Sequence, residues 1–155
     1  MLGSCGVKVL AFYGSAKTPD AIERKISAAS GGSRAELDLF DVNRFRVVTS
    51  TLPDMMATYH ALDDRFGSVM VRCRNYYREP RRGSMDPYRA VHLCLRPDDE
   101  EFVEIQLMTG NRDSVGLLDH AFVHKRTSRF VSEPHRRWLQ ILSWTANVAD
   151  AQILG

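Results

Sequence analysis

Apolar and polar positions follow two periods along this chain, and the changes of period mark its elements. Val7 to Phe12 is a near-continuous apolar run and predicts a first strand. Thr18-Pro19 opens a helix, because threonine caps and proline fits the first turn. Ile22, Ile26 and Ala29 form its apolar stripe, and Gly31-Gly32 ends it. Leu37 to Thr49 is β-rich and closes on Phe45-Arg46-Val47-Val48, a second strand. Thr51-Leu-Pro-Asp54 has a capping-box pattern, and the helix after it places Met55, Met56, Tyr59, Leu62 and Phe66 on one face. Ser68 to Arg74 predicts a third strand with Val69, Val71 and Cys73 on one side. Asn75 to Pro87 is polar, a long loop of the kind that carries function. Tyr88 to Leu95 and Glu101 to Thr109 predict two more strands, joined by a turn at Pro97-Asp98-Asp99-Glu100. Val115, Leu118 and Phe122 mark a helix. Ser132 caps a last one over 133–155, with Trp138, Ile141, Leu142, Thr145 and Val148 as its apolar face. Trp138 and Trp144 point to different sides of that helix, and neighbouring helices are expected to bury both. Strands and helices do not alternate strictly, so the expected class is α+β: a mixed five-stranded sheet flanked by helices.

Length fits this plan: 155 residues make one domain, 1–155, and 44% apolar residues suffice for a core without disulfide staples. Met1-Leu-Gly-Ser reads in part as a cloning remnant, which would put residues 1–6 outside the domain and make the chain an excised piece of a longer one. Cys5, Cys73 and Cys94, an odd set without short pairing spacing, argue against a disulfide framework or a cysteine-based zinc site. No apolar run approaches the roughly 18 residues of a membrane helix, and the start lacks a secretory pattern. A net charge of +2 excludes bulk nucleic-acid coating. It hides a basic middle, however. Arg72, Arg74, Arg78, Arg81, Arg82 and Arg89 face only Glu79 and Asp86 in the same stretch. Such a run is either a solvated loop or an anion clamp, since arginine grips phosphate oxygens bidentately.

The chain has no Walker-type phosphate loop, no dinucleotide glycine fingerprint and no H-E-x-x-H helix. Its chemistry lies in polar residues inside predicted strands. Asp41 interrupts a run of Phe and Val. Glu104 and Gln106 alternate with Val103, Ile105 and Leu107, so the acid and the amide share one face and the aliphatics the other. His92 has the same parity as Tyr88. An unpaired buried carboxylate is costly, and two on one face would suit a hard cation such as Mg²⁺. The other reading is a solvated face of a half-exposed sheet. His120 and His124 have helical i, i+4 spacing, which without a third ligand describes a surface pair.

The order of these residues resembles the RelA/SpoT-type synthetase domain, the nucleotide pyrophosphokinase family of alarmone synthetases, from about Lys17 to Lys125. Phe40-Asp-Val-Asn-Arg-Phe-Arg-Val-Val48 is similar to the family strand with the magnesium-binding aspartate, which would be Asp41, with Arg46 as the accompanying arginine. Tyr88-Arg-Ala-Val-His-Leu93 resembles Y-x-S-x-H, where the tyrosine stacks on the acceptor base; Tyr88 would inherit that role and His92 a phosphate contact. Val103-Glu-Ile-Gln-Leu-Met-Thr109 resembles E-I-Q-x-R-T, making Glu104 the catalytic glutamate and Gln106 its neighbour. Asp119-His120 and Lys125 resemble an E-H-x-x-x-x-K helix. Arg74-Asn75-Tyr76 and Pro80-Arg81 lie where the family has K-D-Y and P-K loop motifs. Lys17 and Lys25 match the donor-binding lysines. Ser15 stands where an adenine-stacking arginine is expected, Ala21 replaces a serine, Met108 an arginine and Ala90 the motif serine. P-x-N-G-Y has become Met85-Asp-Pro-Tyr88.

The resemblance implies a nucleotidyltransferase-like synthetase fold and Mg²⁺-dependent transfer of the β,γ-pyrophosphate of ATP to a purine nucleotide 3′-hydroxyl. Asp41 and Glu104 would be the catalytic acids and hold the metal. Lys17, Lys25, Arg46, Gln106, His120 and Lys125 would serve the ATP phosphates, and Tyr88, His92, Arg74 and Arg81 the acceptor. The changed acceptor loop and short chain lean towards adenosine acceptors and a toxic effector making (p)ppApp, with guanosine acceptors giving (p)ppGpp as the alternative. A transfer-RNA end as acceptor gains no support from the near-neutral charge. A degenerate nucleotide-binding module is the non-enzymatic alternative. A toxic branch implies a neutralising partner protein. The expected site of action is the cytoplasm, without membrane attachment.

Overall fold

The computed structural model describes residues 6–28, 41–79, 88–97, 101–119 and 133–152. In chain order these form β1 (Val9–Ala16), α1 (Pro19–Ala28), β2 (Asn43–Thr49), α2 (Leu52–Phe66), a 3₁₀ turn (Gly67–Val69), β3 (Met70–Asn75), β4 (Val91–Leu95), β5 (Val103–Thr109), α3 (Gly110–Asp119) and α4 (Glu133–Gln152). One five-stranded sheet has the order β1-β2-β5-β4-β3. β2 and β5 run parallel; the other three neighbouring pairs are antiparallel. The sheet is therefore mixed and the class α+β, as the pattern predicts.

Alternation along each strand gives the sheet two unlike faces. On one, Val47, Val91, Leu93 and Leu107 meet Met55 and Leu62 of α2, with Leu52, Tyr59, Met70 and Ile105 packed around them. Full burial of a side chain the size of Leu93 or Leu107 contributes roughly 1.5–3 kcal/mol, so this face holds the main core. α2 is placed there by its own start signal. Thr51 is its N-cap, with the Thr51 hydroxyl accepting from the Asp54 amide at 3.2 Å and donating to the Asp54 carboxylate at 2.8 Å. Thr51→Ala should cost about 1 kcal/mol and lower the midpoint of urea unfolding without changing its slope. An unchanged midpoint would show that the cap adds nothing to stability.

Several expectations are corrected. β1 continues past Phe12 to Ala16, because Gly14, Ser15 and Ala16 pair with Phe45, Arg44 and Asn43. Asp41 is not inside a strand: it lies in the turn before β2, closed by a Lys17 amide to Val42 carbonyl bond of 2.9 Å. β3 starts at Met70, and Val71 on this edge strand is exposed. β4 and β5 each start later than predicted, at Val91 and Val103. α2 buries Met55, Thr58 and Leu62, leaving Met56 and Phe66 exposed. The turn at 98–100 and the cap at Ser132 lie outside the described residues.

α4 departs furthest from its pattern. Its buried positions are Leu139, Ser143, Ala146 and Asp150, whereas Trp138, Ile141 and Trp144 are 54, 61 and 67% exposed. The reason is a buried polar joint with α3. Arg112 pairs with Asp150 at 3.7 Å and donates to the Ser143 hydroxyl at 3.2 Å. Asp150 also accepts from the Thr109 hydroxyl and the Asn111 amide, each at 3.0 Å. The helix turns its small and polar side inward to serve this joint, so the tryptophans face outward.

Candidate active site

The second face of the sheet carries the polar and charged side chains of the candidate site. Register places two rows of side chains across it. One runs Tyr13, Arg46, Gln106, His92, Arg74; the next runs Ser15, Arg44, Glu104, Cys94, Arg72. An apolar patch of Val48, Ala90 and Met108, with Ala11 and Tyr88 against it, closes one end. Residues far apart in sequence meet because β2 and β5 lie side by side.

Glu104 is 8% exposed and His92 and Gln106 are 4 and 5% exposed. The His92 ring holds one Glu104 oxygen, Nδ1 to Oε2 at 3.1 Å, and the Gln106 amide donates to the other at 2.6 Å. Burial alone pushes the Glu104 carboxyl up. The hydrogen bond and charge of His92 and the Gln106 amide outweigh it and hold the group below the usual carboxylate range, against a smaller upward push from the Asp41 charge. Glu104 is thus an ionised, oriented carboxylate. Beside it the Cys94 thiol is pushed up to about 11, by burial first and then by the Glu104 charge. That thiol is a weak nucleophile at neutral pH.

Gln106 is fixed from its other end. Arg46 donates from Nε and Nη2 to the Gln106 carbonyl oxygen, both at 3.3 Å, which aims the amide nitrogen at Glu104. Arg46 also pairs with Asp113 of α3 at 2.8 Å and donates to the Tyr13 hydroxyl at 3.0 Å, while Tyr13 donates to Asp113 at 2.7 Å. A hydrogen-bonded line therefore runs from Asp113 through Arg46 and Gln106 to Glu104. On the far side the Tyr88 hydroxyl sits 3.0 Å from His92 Nε2. Tyr76 packs edge-on against both rings, and Arg74 reaches its hydroxyl at 3.4 Å. At the start of β2, Lys17 pairs with Asp41 at 2.5 Å, both partly exposed.

Eight of the expected site residues are described: Lys17, Asp41, Arg46, Arg74, Tyr88, His92, Glu104 and Gln106. Arg46, Tyr88, His92, Glu104 and Gln106 join in one network, Lys17 and Asp41 form a pair near it, and Arg74 approaches through Tyr76. The side chain of Lys25, and Arg81, His120 and Lys125, lie outside the described residues. Sequence reasoning missed Tyr13, Arg44 and Asp113. Tyr13 falls in the part of β1 beyond the predicted strand. Arg44 alternates with Arg46 in β2, so its side was readable, and its guanidinium lies 3.4 Å from the Ser15 hydroxyl. Asp113 left one indirect signal: a half-buried Arg46 needs a carboxylate partner.

Among the described residues no group of three or more His, Cys, Asp or Glu is gathered in metal-binding distance. Asp41 and Glu104 offer oxygen donors only. That fits Mg²⁺, which takes one or two carboxylates and fills the remaining positions with water and substrate phosphates. No helix among the described residues is long and apolar enough to cross a membrane.

Known proteins agree with this arrangement at the level of family and fold. No curated protein sequence matches the chain significantly. The structure of small alarmone synthetase 2 from Bacillus subtilis superposes with a TM-score of 0.76 at 18% identity, over 99% of this chain and 83% of that one. A GTP pyrophosphokinase family protein from Streptococcus pneumoniae gives 0.75 at 21% identity, over 94 and 73% of the two chains. Small alarmone synthetase 1 from Bacillus subtilis, bound to its product pppGpp, gives 0.74 at 23% identity, over 94 and 76%. The fold is that of these synthetases. The family model described as a region found in RelA / SpoT proteins matches residues 14–129, which hold every strand but the start of β1 together with both acids, and the chain belongs to that family.

Proposed function

We propose that this protein is a Mg²⁺-dependent pyrophosphokinase that transfers the β,γ-pyrophosphate of ATP to the 3′-hydroxyl of a purine nucleotide. The observation that carries the reading is the Glu104 carboxylate: ionised, buried and aimed by His92 on one oxygen and Gln106 on the other. Unlike Asp150, whose partners tie two helices together, Glu104 lies in a row of polar and charged side chains across the sheet face. The solved synthetase bound to pppGpp supports a nucleotide in this fold.

In the proposed reaction the 3′-oxygen attacks the β-phosphorus of ATP. The bond from that phosphorus to the α,β-bridging oxygen breaks, AMP leaves, and the hydroxyl proton passes to Glu104. A carboxylate below its usual range is a weak base, but it needs only to receive the proton as the new bond forms. Bound Mg²⁺ would supply charge neutralisation on the phosphates, held by Asp41 and Glu104. Lys17 stands beside Asp41, where its ammonium can stabilise phosphoryl charge. Tyr88 would seat the acceptor base by stacking, a contact of roughly 1–3 kcal/mol that tolerates either purine.

For the acceptor we favour adenosine nucleotides, on the replacement of the P-x-N-G-Y loop by Met85-Asp-Pro-Tyr88, and with them a toxic product and a neutralising partner protein. Guanosine acceptors are the second reading, favoured by the pppGpp-bound relative. Incubating the protein with γ-labelled ATP, Mg²⁺ and each of AMP, ADP, ATP, GDP and GTP separates them. We expect pyrophosphorylated adenosine products. Preference for GDP or GTP would replace the first reading by the second. No product with any acceptor, from folded protein, would overturn both and leave a nucleotide-binding module.

A further inference from the structure

His92 has no free ring nitrogen to offer a ligand. Nε2 lies 3.0 Å from the Tyr88 hydroxyl and Nδ1 lies 3.1 Å from Glu104 Oε2, with the residue 4% exposed. An ionised carboxylate can only accept, so the hydrogen between Nδ1 and Glu104 belongs to Nδ1. Nε2 is then left to the Tyr88 hydroxyl, and the two side chains share that hydrogen bond. The imidazole is also wedged between two rings. Tyr76 stands 5.0 Å away at 85° and Tyr88 5.6 Å away at 87°, both edge-on to it. The second oxygen of Glu104 is gripped by Gln106.

We infer that His92 is a positioning residue, which aims the Glu104 carboxylate and ties it to Tyr88 rather than touching a phosphate of the acceptor. The inference rests on the pyrophosphokinase reading, in which Tyr88 carries the acceptor and Glu104 receives its proton. Seating the acceptor on the tyrosine and aiming the carboxylate then form one mechanical unit. A nucleotide that tilts Tyr88 moves the hydroxyl, the imidazole and the carboxylate together. The chemical demand is geometric, because a displacement of about 1 Å at a reacting group costs on the order of 10²-fold in rate.

The variants His92→Ala, His92→Asn, His92→Gln and Tyr88→Phe test this, with acceptors bearing one, two and three 5′-phosphates. An asparagine amide nitrogen occupies the place of Nδ1, and a glutamine amide nitrogen that of Nε2. His92→Ala should lower kcat on the order of 10²-fold, with acceptor KM nearly unchanged for all three acceptors. His92→Asn should recover most of that loss, and His92→Gln should not. Tyr88→Phe keeps the stacking ring and should lower kcat with little change in KM. A KM rise in His92→Ala that grows with the number of phosphates would mean direct phosphate contact and overturn the inference. Rescue by glutamine but not asparagine would do the same.

Nitrogen NMR of the ligand-free protein gives an answer that does not depend on turnover. The expected signature is a ring protonated at Nδ1, with the Nε2 resonance moving in Tyr88→Phe. A ring protonated only at Nε2 overturns the inference. If wild type yields no product with any acceptor yet shows the Nδ1-protonated ring, the reaction reading falls and the hydrogen-bonded unit stands.

Discussion

Glu104→Gln should abolish most turnover, lowering kcat by about 10²–10⁴-fold, the range of a lost general base. Glutamine keeps the volume of the buried side chain, so packing against β4 and β2 survives. It cannot keep the electrostatics. Gln106 and His92 each present a hydrogen to Glu104, and a neutral amide has one carbonyl oxygen to answer two donors. The variant should therefore show a modest drop in thermal midpoint alongside the large loss of rate. Steady-state kinetics and a thermal melt on the same sample separate the two. A variant that unfolds cooperatively and turns over at more than a tenth of the wild-type rate would remove Glu104 from the proton transfer. Glu104→Ala should lose turnover equally and serves as the check that a residual glutamine contact is not responsible.

Asp150→Ala is expected to have the largest effect on stability. It strips the buried Arg112 guanidinium of its carboxylate and leaves the Thr109 hydroxyl and Asn111 amide without that acceptor. Breaking a buried pair from one side costs roughly 3–5 kcal/mol. For a chain of this size that is about 6–20 °C in the unfolding midpoint. The double variant Arg112→Leu/Asp150→Leu should recover much of the loss, since removing both charges removes the desolvation penalty as well. Urea unfolding of the single and double variants completes the cycle. A loss below about 1 kcal/mol in Asp150→Ala would show that apolar contacts, not this joint, hold α4.

The two faces of β5 were legible in the sequence, because Glu104 and Gln106 alternate with aliphatics and period-2 geometry allows one outcome. The N-terminal signal of α2 was legible for a similar reason: Thr51 and Asp54 act within one turn. What failed was whatever depended on a partner distant in sequence. The end of β1 is set by pairing with Asn43 to Phe45, not by its own residues, since Gly14 and Ser15 have low strand propensity. The inward side of α4 is set by Arg112, and no apolar count on that helix reveals a charge waiting on another. Asp41 looked like a strand residue because its neighbours are Phe and Val; the bond from Lys17 to Val42 holds it in a turn instead. The candidate site residues were named largely through family resemblance. Periodicity alone left Glu104 open to being a solvated acid.

The parallel pairing of β2 with β5 also bears on when the site comes into being. Arg46 and Gln106, which face each other across that pair, stand 60 positions apart, with α2, β3 and β4 between them. Closing so long a loop is entropically slow, and parallel strands gain nothing until it is closed. The β1–β2 and β3–β4 ladders join segments nearer in sequence and can form first. During synthesis, a chain that has emerged only through β4 already has most of its strands but no Glu104 opposite Arg44 and no Gln106 opposite Arg46. The carboxylate enters with the strand that completes the sheet, so an unfinished chain cannot carry the proposed chemistry.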